Sequence, residues 1–365
     1  MSDVFDIAII GAGMAGASLA AECSAHARVL LLEGEDAPGY HSTGRSAAFW
    51  ETCYGGPEIV PLTMASGDYL KEHGFLSDRG ALYLARADDQ PKIDDFFARF
   101  AGSGAQFEQI DREQLDQMVP GLQPAWDRAI WQRACADIEV AGLHQHYLAK
   151  ARRGSVELVS RAMVSELSQN ADGWLLRCED GREFHAKTIV NAAGAWADTI
   201  AVRAGAKPPG IQPLRRTVVQ LRIDPEPPSA LPLCLDISGD FYFKPESGRL
   251  WLSPHDETPT DPCDAAPDEL DVALAIDRLQ NVTEWDVRRV ERKWAGLRSF
   301  APDRRPVYGY DPRVANFFWF AGQGGYGIQT APAAARLGAQ LLLKQKRDAL
   351  TEGLDAGLYS PERFG

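Results

Sequence analysis

Three glycines near the start of the chain have the spacing of a dinucleotide-binding turn. The segment GAGMAG supplies Gly11, Gly13 and Gly16 directly after a short apolar run. Gly11 would permit a tight turn, Gly13 would let a pyrophosphate approach the backbone, and Gly16 would let a helix pack closely on a sheet. The N–H groups of Met14 and Ala15 would then face the phosphates at a helix N-terminus, where the helix dipole favours negative charge.

An acidic residue follows these glycines at the expected distance. Glu33 ends the next apolar run, roughly 20 residues on, where a carboxylate can accept hydrogen bonds from ribose hydroxyls. The same charge would repel a 2′-phosphate and therefore disfavours NADP. The spacing does not distinguish FAD from NAD, and a glycine-rich turn without a ligand is the alternative.

Two arginines could bind an anion: Arg216 in LRRTVV and Arg298 in GLRSF. A guanidinium group keeps its charge and matches a carboxylate with two parallel hydrogen bonds. Arg298 stands in an apolar stretch, where an unpaired charge would be costly, so an anionic ligand would account for it. The alternative is a structural salt bridge. Arg215 adjoins Arg216, and alternation along a strand would send the two side chains to opposite faces.

Short apolar runs and glycine turns predict the elements that position these residues. The predicted strands are 6–10, 29–32, 188–190 and 317–320, with helices over 14–26 and 331–343. The strand 6–10, the helix 14–26 and the strand 29–32 form a βαβ unit, which implies a parallel sheet. Because three strands each lead into a glycine-rich turn, one sheet assembled from separated segments is expected.

The fold class expected is α/β, a Rossmann-like domain with an inserted, mostly antiparallel α+β domain. Segments 82–100 and 215–252 are predicted to be strands interrupted by proline-rich turns such as PEPPSALP. The first domain is expected over 1–78, 140–207 and 297–365. The inserted, substrate-binding domain is expected over 79–139 and 208–296.

Composition argues against several classes of partner. The net charge is −13 over 365 residues, which disfavours binding to nucleic acid or to acidic lipid. The six cysteines include no CxxC pair, so no metal site is predicted and reduced thiols in the cytoplasm are expected. No basic stretch precedes the first apolar run, and no run approaches the ~20 residues of a membrane helix. A cytoplasmic protein is expected, with contact to the surface of the inner membrane left open.

The loop PGYHSTGRSAAFWETCYG, residues 38–55, resembles the flavin loop of the D-amino acid oxidase (DAO) family of FAD enzymes. The resemblance continues in order through VNAAGAWAD, IQPLRR, FYFKP, KWAGLRSF and AGQGGYGIQT, and is nearest to the bacterial FAD-dependent D-arginine dehydrogenases. It implies non-covalent FAD and the oxidative deamination of a small D-amino acid. Hydride would pass from the substrate Cα to flavin N5, and the imino acid would hydrolyse to a keto acid and ammonia.

The resemblance also implies the FAD contacts. Residues of the 38–55 loop would lie along the flavin and its phosphates, a strand backbone would contact adenine, and two glycine turns would approach the dinucleotide and the flavin pyrimidine edge. These residues are His41, Ser42, Arg45, Ser46, Ala47, Ala48, Val164, Ala193, Gly194, Gly324, Gly327 and Ile328. Apart from the resemblance, the last turn has an ordinary loop before a helix as its alternative.

The substrate contacts implied by the resemblance fall into three groups. Arg216 and Arg298 would bind the carboxylate. The Gly325 carbonyl and Gln329 would hold the amine. The walls would be formed by Tyr54, Tyr242, Leu233 and Leu235, although a tyrosine packed in the core with one satisfied hydroxyl is the commoner arrangement.

Two departures from the family pattern bear on the substrate side chain. Ala81 stands where arginine-specific members have a glutamate, and Phe49 replaces a histidine of their flavin loop. Loss of the carboxylate that would pair a guanidinium group favours a neutral or apolar side chain. Glu51 is an additional acid in the same loop, and it keeps a basic side chain as the second choice.

Other functions stay open at this point. A secondary amine, such as an N-methyl amino acid or an opine, could be oxidised on the same fold. The covalent flavin attachment frequent in such enzymes has no support, since no cysteine follows Cys263. A flavoprotein subunit without turnover is a further alternative, and an NAD-dependent dehydrogenase would leave residues 39–55 without a role. The electron acceptor could be oxygen, a quinone or another carrier.

Overall fold

The structure is a computed structural model that describes residues 4–154 and 156–365. In chain order the strands are β1 (Phe5–Ile10), β2 (Val29–Leu32), β3 (Phe49–Trp50), β4 (Leu76–Asp78), β5 (Ala81–Ala85), β6 (Glu108–Asp111), β7 (Arg128–Gln132), β8 (Ala136–Ile138), β9 (Val156–Val159), β10 (Val164–Asn170), β11 (Gly173–Cys178), β12 (Glu183–Asn191), β13 (Gln212–Asp224), β14 (Leu233–Asp236), β15 (Tyr242–Glu246), β16 (Arg249–Ser253), β17 (Thr258–Pro259), β18 (Asp286–Phe300), β19 (Val307–Tyr310), β20 (Phe317–Ala321) and β21 (Gln323–Gly324). The α-helices are α1 (Met14–Cys23), α2 (Val60–Glu72), α3 (Gln90–Arg99), α4 (Arg112–Met118), α5 (Val140–Arg153), α6 (Ala197–Arg203), α7 (Glu269–Val282) and α8 (Ala331–Leu342).

The first sheet joins segments that are far apart in the chain. Strand β1 pairs in parallel with β2 on one side and with β12 on the other, and β12 pairs in parallel with β20. The glycine turns that follow β1, β12 and β20 therefore meet at one edge of the sheet. The predicted Rossmann-like parallel sheet is confirmed.

Small side chains on α1 allow close helix packing behind this sheet. Ala17 and Ala20 are fully buried, and α1 packs against both α5 and α8. The core between these helices and the sheet contains Leu19, Leu31 and Leu337 among its buried members. This packing supports the N-terminus of α1 at the same sheet edge as the three glycine turns.

The second sheet is mostly antiparallel, as predicted. Its strand order is β21-β18-β13-β16-β15-β14-β5-β7-β6, with β17 paired to β13, and only the β5–β14 pair is parallel within the described residues. Strands β13 and β18 pair along nearly their whole lengths. Strand β18 runs without a break through the domain boundary predicted between residues 296 and 297, and the domain bounds stay a prediction.

The prediction of strands over 82–100 is wrong in its second half. Strand β5 ends at Ala85, and Gln90–Arg99 forms α3. Pro91 lies in the first helical turn, where its missing N–H costs nothing. Ile93 and Phe96 then pack inward at helical spacing. The proline therefore begins a helix here and does not interrupt strands.

Two further features concern the molecule's surroundings. Among the described residues, no helix is both long enough and apolar enough to cross a bilayer. Residues 4–154 and 156–365 also contain no group of three or more histidine, cysteine, aspartate or glutamate side chains arranged to hold a metal ion.

Candidate active site

A large cleft lies between the glycine turns of the first sheet and strands β13, β15 and β18 of the second. It encloses about 1780 Å³ of empty space, counted out to its open mouth. Its lining runs from the first glycine turn, at Gly11 and Gly13, to Arg216 and Arg298 of the second sheet. All the cofactor residues predicted above line the cleft except Gly16, and all the predicted substrate residues line it except Glu51, Leu233 and Leu235.

The phosphate end of the cleft is formed by the first glycine turn. A Cβ atom on Gly16 would lie 1.8 Å from the carbonyl oxygen of Gly11, so only glycine lets α1 begin so close to β1. Gly16 therefore does not line the cleft, and it contributes by allowing α1 to pack against the glycine turn. The Gly13 N-cap provides no side-chain hydrogen bond, and the Met14 N–H donates to Thr43 Oγ1 at 2.9 Å.

Glu33 lies beyond this turn, at the end of β2. Its two carboxylate oxygens accept hydrogen bonds from the Ala12 N–H at 3.1 Å and from the Glu35 N–H at 3.0 Å. Burial raises the pKa of this carboxyl group. The carboxylate is held at the cleft wall, and the Glu33 carbonyl oxygen accepts from the Ala162 N–H at 2.7 Å. A glycine-built helix N-terminus and a fixed carboxylate fit the expected FAD.

The 38–55 loop runs along the length of the cleft. Ser42 donates from Oγ to the Leu297 carbonyl oxygen at 2.6 Å, which ties the loop to β18. Arg45 was expected to lie along the flavin, but its guanidinium group points outward. It donates to the Ala265 carbonyl oxygen at 2.9 Å and pairs with Asp264. The backbone of this segment therefore lines the cleft, and the Arg45 side chain secures the neighbouring loop.

Arg216 and Arg298 project from the same face of the second sheet. In the β13–β18 register, Arg216 is opposite Gly296 and Leu214 is opposite Arg298. Because residues two apart on a strand share a face, the two arginines are diagonal neighbours on paired strands. Arg215 projects from the other face, which resolves the ambiguity between the adjacent arginines.

Each of these guanidinium groups keeps one nitrogen without a hydrogen-bond partner among the described residues. Arg216 is 6% exposed; its Nε donates to the Asp256 carbonyl oxygen at 2.8 Å, and its buried Nη1 has no acceptor. Arg298 donates from Nη1 to Tyr54 Oη and from Nη2 to Glu257 Oε1 at 2.9 Å, while its buried Nε has no acceptor. The pair therefore offers one free donor from each arginine.

Tyr54 and Gly325 face this arginine pair from the opposite wall. A Cβ atom on Gly325 would lie 2.5 Å from Arg298 Nη1 and 2.6 Å from Tyr54 Oη, so a side chain there would displace both. Burial raises the pKa of Tyr54. Its hydroxyl accepts from Arg298 and keeps its own proton for donation into the cleft.

Apolar side chains surround the remaining space. Phe49, Val218 and Tyr242 line the cleft beside the arginines, and burial raises the pKa of Tyr242 to about 12. Leu233 and Leu235 pack behind them in the same cluster of buried side chains. The prediction that these two leucines form the wall is therefore wrong in detail, because they support the wall from behind.

The expected roles of Glu51 and Gln329 do not match their contacts. Glu51 is fully buried outside the cleft, where it accepts from Tyr83 Oη at 2.7 Å and from the Cys53 N–H at 3.0 Å. The Gln329 amide donates to Thr63 Oγ1 at 2.8 Å and exchanges hydrogen bonds with the Glu51 backbone. Gln329 thus fixes the backbone that carries Tyr54, and Glu51 cannot meet a basic substrate side chain from this position.

Several residues of the site escaped the sequence prediction. Thr43 stands inside the predicted loop and caps α1, a role that its position between two predicted contacts could have suggested. Trp196 lines the cleft beside the second glycine turn, with its ring 4.7 Å from that of His41. Glu257 and Arg304 form ion pairs at the arginine anchor, and no motif marks them.

Comparisons with known proteins identify the family and the fold. The profile of the family described as "DAO: FAD dependent oxidoreductase" matches residues 6–341. Hydrogen cyanide synthase subunit HcnC of Pseudomonas aeruginosa is 25% identical over 270 residues, which are 72% of this chain and 64% of the relative. An L-2-hydroxyglutarate dehydrogenase of Escherichia coli is 24% identical over 220 residues, 56% of this chain and 51% of the relative. These matches span less than two thirds of either relative's length.

A solved structure extends the likeness to the whole fold. Glycine oxidase from Geobacillus kaustophilus superposes with a TM-score of 0.84 at 21% identity, covering 98% of each chain. At that identity the superposition establishes the fold alone. Because the superposition covers 98% of this chain, both sheets belong to the shared fold.

Proposed function

Since the chain belongs to the DAO family of FAD-dependent oxidoreductases, with FAD as its cofactor, we propose that it deaminates a small D-amino acid with a neutral or apolar side chain. The family acts on substrates of the amino-acid and hydroxy-acid type. The amine, the D configuration and the nature of the side chain are the proposal's own additions. All three can be tested on the purified holoenzyme.

One observation carries the proposal: Arg216 and Arg298 each keep a buried nitrogen without an acceptor. An unsatisfied charged donor costs roughly 1–3 kcal/mol or more, which a bound anion would relieve. Two donors from two neighbouring guanidinium groups match the two oxygens of one carboxylate. The anion expected is therefore the α-carboxylate of the substrate.

The residues around the cleft would then orient the substrate. Arg216 and Arg298 would bind the carboxylate, and the Tyr54 hydroxyl would add a third hydrogen bond to it. The Gly325 carbonyl would accept from the amine. FAD, when bound, supplies the acceptor for the hydride that leaves the substrate Cα. The contribution of these side chains is to hold the Cα–H bond in one orientation.

The wall composition supports a neutral or apolar side chain. Phe49, Val218 and Tyr242 offer no negative charge, and Ala81 lies fully buried beside them in the same apolar cluster. A guanidinium or ammonium group would be desolvated there without a partner, which is costly. We therefore propose the reaction that the resemblance to D-arginine dehydrogenases implies, with a substrate other than arginine.

A 2-hydroxy acid is the second candidate, favoured by the match to an L-2-hydroxyglutarate dehydrogenase. It would use the same carboxylate anchor and bring a hydroxyl group in place of the amine. The secondary-amine alternative also keeps the anchor. Only the group on the reacting carbon distinguishes these candidates.

Anaerobic reduction of the flavin tests the proposal directly. The holoenzyme is mixed with D- and L-alanine, D-methionine, D-phenylalanine, D-arginine, N-methylglycine and D- and L-lactate, and flavin absorbance is recorded before and after air is admitted. Fastest bleaching by an apolar D-amino acid is expected. Fastest bleaching by D-arginine, by N-methylglycine, by a lactate or by L-alanine would contradict the proposal, and re-oxidation by air separates an oxidase from a dehydrogenase.

A further inference from the structure

One carboxylate from the protein itself is bound to the arginine anchor. Glu257 lies in the segment that joins β16 to β17, and its Oε1 accepts from Arg298 Nη2 at 2.9 Å and from Arg304 Nη2 at 2.8 Å. Its Oε2 accepts from Arg304 Nη1 at 3.0 Å, and Arg216 Nη2 lies 3.5 Å from Oε1. Three guanidinium groups thus converge on a single carboxylate.

Asp256 is the other carboxylate near this cluster. Its Oδ1 lies 3.9 Å from Arg216 Nε and its Oδ2 lies 3.8 Å from Arg215 Nε, and Arg215 also pairs with Asp271 at 2.8 Å. Asp256 is therefore shared with an arginine on the other face of the sheet, and Glu257 is the carboxylate that joins Arg216, Arg298 and Arg304.

The hydrogen bonds of this cluster leave room for one further anion. Glu257 occupies Nη2 of Arg298 and both terminal nitrogens of Arg304, whereas the free donors are Arg216 Nη1 and Arg298 Nε. One incoming carboxylate fits the free donors. A second carboxylate would need the donors that Glu257 already holds.

The backbone around the cluster is held in a costly conformation. Arg304 and His255, two residues before Glu257, have φ angles of 63° and 57°, in the left-handed region that residues other than glycine avoid. Such a conformation is unfavourable for a residue with a side chain and persists where surrounding contacts enforce it. The Glu257–Arg304 contact is thus part of a specifically built arrangement.

We propose that Glu257 occupies the position of a second substrate carboxylate and thereby restricts the site to monocarboxylates. This inference rests on the proposed carboxylate anchor and adds the substrate's charge class to it. Glu257 does not itself line the cleft; it contacts the lining residues Arg216 and Arg298 and acts through them. It is therefore a specificity-determining residue and has no role as a proton donor or acceptor in the reaction.

Binding of two non-reacting acids to the holoenzyme tests the inference. Propionate and succinate are titrated by calorimetry at one ionic strength into the wild type, Glu257→Ala and Glu257→Gln. The Ala variant vacates the position and removes the charge, so the succinate-to-propionate affinity ratio should rise about tenfold. The Gln variant keeps an acceptor oxygen and removes only the charge, so the ratio should rise about threefold.

A matched control is Glu291→Ala. Glu291 also bridges two arginines, Arg222 and Arg249, but neither lines the cleft. Its removal should leave the ratio within twofold of the wild type. If the Ala variant does not fold, the Gln variant alone decides. A succinate-to-propionate affinity ratio that stays within twofold of the wild-type value in the Glu257 variants would overturn the inference. Because the assay needs no turnover, it gives an answer even if no amino acid reduces the flavin.

Discussion

The two sides of the cleft recognise their ligands by different means. The dinucleotide side depends on backbone, through a glycine turn whose essential residues, Gly11 to Gly16, fall within one short segment. The substrate side depends on side chains, and Arg216 and Arg298 meet only because β13 and β18 pair along their lengths. The phosphate turn of the first side is therefore local in sequence, and the arginine pair of the second side is not.

This difference determines how each side tolerates change. On the dinucleotide side, an added methyl group meets backbone that cannot move aside. On the substrate side, each arginine is oriented by carboxylates that a substitution can remove, replace or neutralise. We therefore expect substitutions on the dinucleotide side to reduce FAD binding. Substitutions on the substrate side should change the affinity or the specificity for the substrate.

The largest expected effect is that of Gly16→Ala. Its Cβ atom would lie 1.8 Å from the Gly11 carbonyl oxygen, so α1 must move away from the phosphate site. The FAD-to-protein ratio, measured by absorbance after purification, should fall more than tenfold. Gly353→Ala is the control, since its Cβ atom would meet nothing within 4 Å. A full complement of FAD in the Gly16 variant would contradict the backbone account of this side.

Arg298→Met should act on substrate and spare the cofactor. Each charge-assisted hydrogen bond contributes about 1.5–3 kcal/mol, so KM for the amino acid should rise roughly tenfold to a hundredfold while FAD stays bound. Arg215→Met is the matched control, because Arg215 projects from the opposite face and pairs with Asp271 at 2.8 Å. Steady-state kinetics decide the point: equal KM changes in both variants would remove Arg298 from the site.

The contrast also explains what could be predicted from sequence. The turn at Gly11–Gly16, the acid at Glu33 and the parallel sheet follow from local spacing and apolar runs. The opposite faces of Arg215 and Arg216 follow from strand alternation. In these cases the determining interactions lie within a few residues of one another along the chain.

What could not be predicted depends on contacts between distant segments. Glu257 gains its role only when β13, β18 and the segment before β17 come together, and no local pattern marks it. Gln329 and Glu51 were assigned to the substrate because position in a motif does not reveal the direction of a side chain. The helix α3 was missed because Pro91 was taken as a strand breaker, although proline also begins helices.

The buried carboxyl group of Glu51, which lies outside the cleft, should make the stability of the protein depend on pH. Burial raises the pKa of this carboxyl group from 4.5 to about 7. Below pH 4.5 both folded and unfolded chains hold the proton; as pH rises to 7, the unfolded chain releases it first, and the folded state loses stability. Glu51→Gln avoids this loss. The difference in unfolding free energy between this variant and the wild type should therefore shift by about 2 kcal/mol in favour of the variant from pH 5 to pH 8.

Urea denaturation at pH 5 and pH 8 measures this difference. Glu58→Gln serves as the control, since Glu58 lies in the same segment and is exposed. A Glu51→Gln variant whose stability follows that of the wild type at both pH values would indicate that Glu51 is ionised at no cost. The substrate side would then carry less strain than its burial implies.

The smallest expected effect is that of Tyr54→Phe, which separates positioning by the ring from donation by the hydroxyl. The ring would still pack against Phe49, with the centroids 5.2 Å apart in the present structure. Arg298 Nη1 would lose its acceptor and the substrate would lose one donor. A neutral hydrogen bond contributes about 0.5–1.5 kcal/mol, so KM should rise about threefold to tenfold with kcat nearly unchanged. Tyr69→Phe, remote from the cleft, should leave both constants unaltered. A fall in kcat without a change in KM would mean that the Tyr54 hydroxyl acts in the reaction itself and does not serve to bind the substrate.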